Sequence, residues 1–427
     1  VSSAFAVSAG VLAAAPAHWR RIPLWTVVRR REKTGVVGKP LLSVYRDHGV
    51  VPKDSRDDNF NRPSDDLSRY QYVRPGDLVL NRMKAWQGSL AVSEHEGIVS
   101  PAYLVCGLSP AVQPRFLHYL LRSEPYVHLY RLLSQGVRPN QWDLDYDAFR
   151  SLTLLCPPLD EQRRITEFLD AEAGHFARVI EARARQSALL EARFQQIVDA
   201  AVTGYTSSLD IPADEWTPVK IGRICRMQSD HPFPSENFAA DGTPLLRGVN
   251  VGVGRVDWND VVCWDEKRHP IPRQFRLLAG DLVLGMDRPW ISGGLRVAEV
   301  EQRDLPALLS QRVARLRGNG SVSMAYLRRV FGSSHFKTSV ERQLTGVSVP
   351  HLSGDQIASF RFLLPGLPVQ KLVAAGLDRQ ERLVVAFSDR VRRQREVMLE
   401  RRRALITAAV TGQFDVTTTH PVWTTTW

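Results

Sequence analysis

Cysteine is scarce in this 427-residue sequence, and long apolar runs are missing. The four cysteines, Cys106, Cys156, Cys225 and Cys263, form no C-x-x-C pair, and no histidine lies at zinc-ligand spacing from them. That argues against a zinc module and against a disulfide framework. It predicts four reduced, mostly buried thiols in a cytoplasmic protein. No run approaches the roughly 18 apolar residues of a membrane span, so no membrane partner is expected. The opening stretch VSSAFAVSAGVLAAAPAHW has no basic residues before its apolar part, which argues for a frayed tail rather than a secretory signal. Residues 415–427 read as a second, disordered tail.

Recognisable catalytic machinery is also missing. There is no N/D-P-P-Y/F/W tetrapeptide of an amino-methyltransferase, no H-E-x-x-H and no G-x-S-x-G. Gly35 to Pro40 looks faintly like a phosphate loop, but the first glycine is too close and no Ser or Thr follows Lys39. Asp265-Glu266-Lys267 is too small a fragment of a nuclease signature. The chain reads as a binder with no cofactor and no metal of its own.

What is present is positive charge and a repeat. The net charge is +11, which favours a polyanionic partner. Ala200-Ala201-Val202-Thr203-Gly204 returns as Ala408-Ala409-Val410-Thr411-Gly412, an offset of 412 − 204 = 208 residues. The same offset pairs Pro157 with Pro365, Gln162 with Gln370, and Leu169-Asp170 with Leu377-Asp378. Further upstream, with small slips, Pro75-Gly76-Asp77-Leu78-Val79-Leu80 answers Ala279-Gly280-Asp281-Leu282-Val283-Leu284. Trp19 and Trp216 open the two units.

The closely matched parts are helical. Residues 159–204 read as one long helix after Pro157-Pro158, with Gly204 as its left-handed exit. Leu169, Ala173, Phe176 and Ile180, then Leu190, Phe194, Ile197 and Ala201, mark an apolar seam that Arg183 and Ser187 interrupt. In the second helix, 368–414, Leu377, Val384, Val391, Met398 and Leu405 fall seven apart. Each helix would run roughly 60 Å, too long to bury itself on a small domain. Antiparallel pairing within the chain is expected, with a coiled coil between chains as the alternative. Residues 370–412 carry 10 Lys/Arg against 5 Asp/Glu, either a solvated face pairing with the more acidic first helix or a docking face.

The loosely matched parts are domains, 1–158 and 205–367, of mixed α and β character. Residues 1–159 carry 20 Lys/Arg and 14 Asp/Glu, a net of +6, and 205–369 carry 20 and 17, a net of +3. Helical stretches are expected around 115–133 and 323–344. Asp77 and Asp281 read as turn formers. Several loops combine arginine and amides, side chains that pair with guanine and adenine edges. They supply the candidate DNA contacts Asn81, Arg82, Lys84, Gln87, Arg138, Asn140, Gln141, Arg247, Asn250, Arg255 and Arg288. The fold class is α+β: two tandem α/β recognition domains, each followed by a long helix, the helices pairing as an antiparallel coiled coil.

On these residues the chain resembles the specificity (S) subunits of Type I restriction–modification systems. The resemblance is carried by Cys156-Pro157-Pro158-Leu159-Asp160-Glu161-Gln162-Arg163-Arg164-Ile165 leading into a helix that ends Ala-Val-Thr-Gly. Its partial repeat at Leu364 to Gln370, Pro75 to Lys84, and Ser100-Pro101-Ala102-Tyr103 add to it. The resemblance implies two target-recognition domains on double-stranded DNA, each reading half of a bipartite site, and helices that set the spacing. It further implies two methyltransferase (M) subunits on those helices, bringing S-adenosylmethionine, and restriction (R) subunits joining that core. Val369-Gln370 in place of Glu161-Gln162, and Ser310-Gln311-Arg312 in place of Ser100-Pro101-Ala102, depart from the first repeat.

Overall fold

The computed structural model describes residues 15–46, 48–55, 63–135, 142–204, 216–229, 231–291, 293–341 and 351–416. The chain divides into two compact units, one of residues 1–183 with 392–427 and one of 184–391. The division cuts through both long helices, so each unit contains one recognition domain and half of each helix. The helices are therefore not free-standing segments between domains.

The first domain is framed by six strands: β1 (Arg20–Pro23), β2 (Val28–Arg31), β3 (Leu78–Asn81), β4 (Leu90–Val92), β5 (Tyr103–Leu108) and β6 (Thr153–Cys156). Strands β2, β5, β3 and β4 make an antiparallel sheet in that order, while β1 pairs with β6 and joins the domain's entry to its exit. The second domain repeats the frame with β7 (Thr217–Lys220), β8 (Cys225–Gln228), β9 (Leu282–Gly285), β10 (Val297–Glu299), β11 (Val313–Gly318) and β12 (Arg361–Leu364). Its sheet runs β8-β11-β9-β10, and β7 pairs with β12.

The Leu-Val-Leu runs explain why β3 and β9 are central. Side chains alternate between faces along a strand, and these strands have no polar face to turn to water. Leu78 and Leu80 enter the core shared with the helices, while Val79 enters a second core on the opposite face. Leu282, Leu284 and Val283 divide in the same way. The turn before each strand is fixed by its aspartate. The Asp77 carboxylate accepts the Arg74 backbone N–H at 2.9 Å and an Arg31 bond at 2.8 Å. Asp281 accepts the Leu278 N–H at 2.8 Å and a two-pronged Arg317 contact. Gly76 and Gly280, at φ +89° and +85°, occupy the left-handed positions these turns need.

Helices α1 (Pro114–Leu121), α2 (Glu124–Leu133) and α3 (Tyr146–Arg150) pack on the first sheet. In the second repeat, α5 (Ile221–Ile224), α6 (Met324–Phe331), α7 (Ser334–Glu341) and α8 (Gly354–Ser359) pack on the other sheet. The helical stretches expected around 115–133 and 323–344 each form as two helices, with 342–344 outside the described residues. Pro125 enters the first turn of α2, and Gly332 ends α6; neither residue continues a helix well.

The long helices are α4 (Leu159–Val202) and α9 (Leu367–Val410), 44 residues each, or about 66 Å at 1.5 Å per residue. They run antiparallel within each unit. In the first unit Ile165 and Leu169, near the start of α4, share a core with Leu405, Ala409 and Val410, near the end of α9. In the second, Val198 and Ala201 pack with Val373 and Leu377. Only these ends are deeply buried; mid-seam residues such as Phe176, Val384 and Met398 are half-buried. Ser187, which interrupts the apolar pattern, shares a 2.8 Å hydroxyl bond with Ser388. Gly204 and Gly412 take φ +83° and +75° as left-handed exits.

The glutamines of the repeat lock each domain to its helix. Gln162 is buried; its Oε1 accepts the Gln113 backbone N–H at 2.8 Å and its Nε2 donates to the Pro157 carbonyl at 2.8 Å. Gln370 accepts the Ser323 N–H at 2.7 Å and donates to the Pro365 carbonyl at 2.8 Å. One residue thus holds the end of the last strand and the start of α1 or α6. The tail assigned to 415–427 is corrected at its beginning: Val416 packs on the first core, because the turn at Gly412 directs the chain back onto it. The frayed tail expected over residues 1–19 is corrected at its end, where Ala15 and Trp19 are buried in the first core; residues 1–14 and 417–427 lie outside the described residues.

Two measurements test this frame. Gln162→Ala strands a buried N–H and a buried carbonyl, so it should cost about 1–3 kcal/mol in chemical denaturation; a loss within experimental error would remove the lock. The second concerns His118, whose imidazole burial pushes down to about 3, with the charges of Arg122, Arg115 and Arg402 adding. The unfolded chain takes up that proton near an ordinary pKa of about 6.5, and the native state refuses it. The stability this provides is present above about pH 6.5 and lost as pH falls from there toward 3. His118→Asn should therefore lose less thermal stability than the parent chain between about pH 7 and pH 4.5.

Candidate nucleic-acid interface

In the first domain, β3 runs out into a tight turn, Arg82–Gln87, closed by Gly88 in the left-handed conformation at φ +88°. The turn is short because Ala85 is drawn into the core and Trp86 donates its indole N–H to the Met83 carbonyl at 3.2 Å. Met83 and Lys84 are left exposed, and Gln87 is half-buried. Arg82 donates through Nε to Asp143 Oδ1 at 3.0 Å, and through Nη2 to Asp143 Oδ2. The rings of Trp86 and Trp142 meet at 4.8 Å between centroids, tilted by 49°. The strand-end turn and the segment at 142–144 are therefore held together by an ion pair and an aromatic contact.

The second domain joins the corresponding segments with different chemistry. After Gly285 and the buried Met286, Asp287 places Oδ1 2.7 Å from His351 Nδ1 and accepts from Arg312 Nη1 at 2.7 Å through Oδ2. Burial alone would raise the Asp287 carboxyl; His351 and Arg312 together overcome it and hold the group below its ordinary range. Arg288 and Arg312 both have positive φ, +43° and +62°, a conformation non-glycine residues seldom adopt. Arg288 is exposed.

The sequence candidates divide by exposure. Lys84, Arg255 and Arg288 stand in solvent, and Gln87 is partly accessible. Arg82 is accessible but paired. Two assignments need correction. Asn81 is buried with its amide against the Tyr103 hydroxyl. Asn250, 1% exposed, donates to the Asp257 and Asp260 carbonyls at 2.9 Å and accepts the Arg247 N–H at 3.0 Å. Asn250 is used up in bracing its own loop and Asn81 is buried against the neighbouring strand, so neither amide is presented to a base edge. Arg247 is held by Asp260 at 2.9 Å and serves the same loop. Arg138, Asn140 and Gln141 lie outside the described residues.

Asp143, Trp142, Asp287, His351 and Arg312 were not among the candidates. The repeat offset could have found two of them, since 351 − 143 = 208 pairs His351 with Asp143. Among the described residues, no group of three His, Cys, Asp or Glu is placed to hold a metal. Nor is any helix long and apolar enough to cross a membrane.

One α+β frame built twice, each copy locked by a glutamine to the antiparallel helix ends of its own unit, defines the class: a duplicated α+β protein with two long helices. Comparison with known proteins finds relatives in sequence and in fold. Over 278 residues, 64% of this chain and 64% of the relative, the sequence is 25% identical to the Type I restriction enzyme MjaVIII specificity subunit of Methanocaldococcus jannaschii. Over 161 residues, 37% of this chain and 27% of the relative, it is 32% identical to the Type I restriction enzyme EcoAI specificity subunit of Escherichia coli. The match spans less than two thirds of the length of these relatives.

Solved structures share the fold. A chain from a structure addressing complex assembly and conformational transition of the type I R-M system superposes with a TM-score of 0.71 at 17% identity, covering 94% of this chain and 99% of that one. The HsdS subunit of Thermoanaerobacter tengcongensis gives 0.56 at 18% identity, covering 94% and 98%. No protein-family profile matches the chain. The chain is thus similar in sequence to Type I restriction enzyme specificity subunits and shares the fold of a solved HsdS subunit.

The corrected assignments make a contrast that mutation can read. Asn250→Ala should destabilise the chain by about 1–3 kcal/mol, because it leaves three partly buried backbone groups without their side-chain partner. Arg255→Ala and Lys84→Ala, at exposed positions, should stay within about 0.5 kcal/mol of the parent in the same denaturation assay.

Proposed function

We propose that this chain is the DNA-reading subunit of a Type I restriction–modification enzyme. Each domain reads one half of a bipartite duplex site, and the helices α4 and α9 set the distance between the halves. Two M subunits dock on the helices and methylate adenine with S-adenosylmethionine, and R subunits add translocation and cleavage. The chain works in the cytoplasm and contributes no catalysis of its own.

The observation that carries this reading is the contrast between frame and loops. Both domains share sheet order, closing strand pair and glutamine lock, whereas the strand-end turns use different residues. Shared frames suit a common assembly surface. Different turns on two net-basic domains suit two separate readings of DNA, since phosphate contacts position a protein and base contacts specify the sequence.

Selection from a random duplex library by the purified full chain should enrich a motif in two parts separated by an indifferent spacer. Enrichment of no motif would reduce the chain to a scaffold, and methyl transfer by the chain alone would make it an enzyme. Lys84→Ala should weaken binding on every sequence alike and lower the magnitude of the salt slope by about 1. Inserting seven residues into α4 alone should change the selected spacer; an unchanged spacer would count against the helices as a ruler.

A further inference from the structure

We infer that Asp143 and Asp287 are positioning residues that aim a braced arginine, Arg82 in the first domain and Arg312 in the second, at a guanine in each half-site. The inference rests on the DNA-reading function proposed above and names the base class that this function would recognise.

The geometry at Arg82 carries it. Asp143 occupies the Nε and Nη2 edge of the guanidinium. Nη2 spends one of its two hydrogens on Asp143, no hydrogen bond of Nη1 is seen among the described residues, and the side chain is 42% exposed, so the Nη1–Nη2 fork keeps one hydrogen on each nitrogen to donate. That fork has the spacing to donate two bonds to guanine O6 and N7 across the major groove, a pattern no other base presents. At Arg312 the carboxylate of Asp287 takes Nη1 and leaves the Nε–Nη2 edge outward on a side chain 68% exposed. In both domains a carboxylate beside the end of the central strand holds an arginine, by two nitrogens at Arg82 and by one at Arg312, and leaves other donors open.

Stability does not explain these carboxylates. Ion pairs this exposed contribute little to folding, and an acid at a DNA-facing turn repels phosphate. Fixing the arginine is a different matter. An unbraced guanidinium samples many rotamers and meets any phosphate, whereas a braced one has lost that freedom before DNA arrives. Each carboxylate is itself fixed. The Trp86–Trp142 contact ties the turn bearing Arg82 to the segment bearing Asp143. In the second domain, a backbone bridge and a 2.7 Å contact join Asp287 to His351. The two domains thus reach one arrangement through unrelated residues, and the shared element is the carboxylate–arginine pair.

The test is selection from a random duplex library by the full chain and by the Arg82→Lys, Asp143→Asn, Arg312→Lys and Asp287→Asn variants, followed by affinity on the selected duplex. The parent should select at least one invariant guanine in each half. Arg82→Lys keeps the charge and loses the fork. It and Asp143→Asn should both relax the same guanine column and lower affinity for the selected duplex by about 10- to 100-fold, with the other half-motif intact. That intact half reports that the variant is folded. Arg312→Lys and Asp287→Asn should do the same to the opposite half. An Arg82→Lys variant that keeps the guanine column would overturn the inference. So would an Asp143→Asn variant that selects the parental motif with undiminished affinity, or parental half-sites without an invariant guanine. A parent chain that selects no motif would instead remove the DNA-reading function, and this inference with it.

Discussion

One buried amide per repeat sets the relation between domain and helix. Gln162 and Gln370 sit at the start of α4 and α9, where the last strand has just ended and the first sheet-covering helix begins. Each supplies an acceptor to a backbone N–H and a donor to a backbone carbonyl. A buried polar group left unpaired costs more than a surface contact yields, so the interface has one satisfactory arrangement. The arrangement is repeated beside it. Asp170 accepts from Arg115 at 2.9 Å, and Asp378 accepts from Arg328 at 2.9 Å. Departures elsewhere are tolerated: Glu161 accepts the Trp19 indole N–H at 2.9 Å, whereas Val369 offers no such bond, yet the second domain keeps the same frame.

With the frame fixed, variation is confined to the ends of the central strands. A Leu-Val-Leu strand buried on both faces cannot change without opening two cores at once. The turn that follows it carries no such constraint. In one domain it ends in an arginine clamped by a following aspartate, and in the other in an aspartate clamped by a following histidine and a neighbouring arginine. The helices show the same economy of constraint. Their deep contacts lie at the ends, where domain cores include them, and the middle of the seam is thin enough to accept the Ser187–Ser388 hydroxyl pair.

Much of this was legible in the residues. The repeated Ala-Val-Thr-Gly, the prolines before each helix and the seven-residue spacing specified two long helices, and short β-type apolar runs bounded by Gly and Pro specified the buried strands. The turn aspartates were readable because Gly-Asp before an apolar run has few other uses. Boundaries inside the helical stretches were less legible, since the breaks at Pro125 and Gly332 compete with strong apolar periodicity on both sides. The interface was read least well. Asn81 and Asn250 have the right chemistry for adenine, but amides serve buried loops as readily as bases. Asp143 and Asp287 carry the wrong sign for a DNA surface, and their pairing with arginines is not written in the local sequence.

By itself, the sequence determined the duplication, the two long helices, the α+β class and the family resemblance, because these rest on local periodicity and repeated spacing that a linear pattern contains. Only the tertiary structure decided that each compact unit takes half of both helices, which candidate amides are consumed in the interior, and which arginines are held by a carboxylate. Those outcomes depend on partners tens of residues apart, such as Arg82 with Asp143 and Asp287 with His351. They depend as well on whether a polar atom finds its hydrogen bond inside the protein or is left to seek it outside.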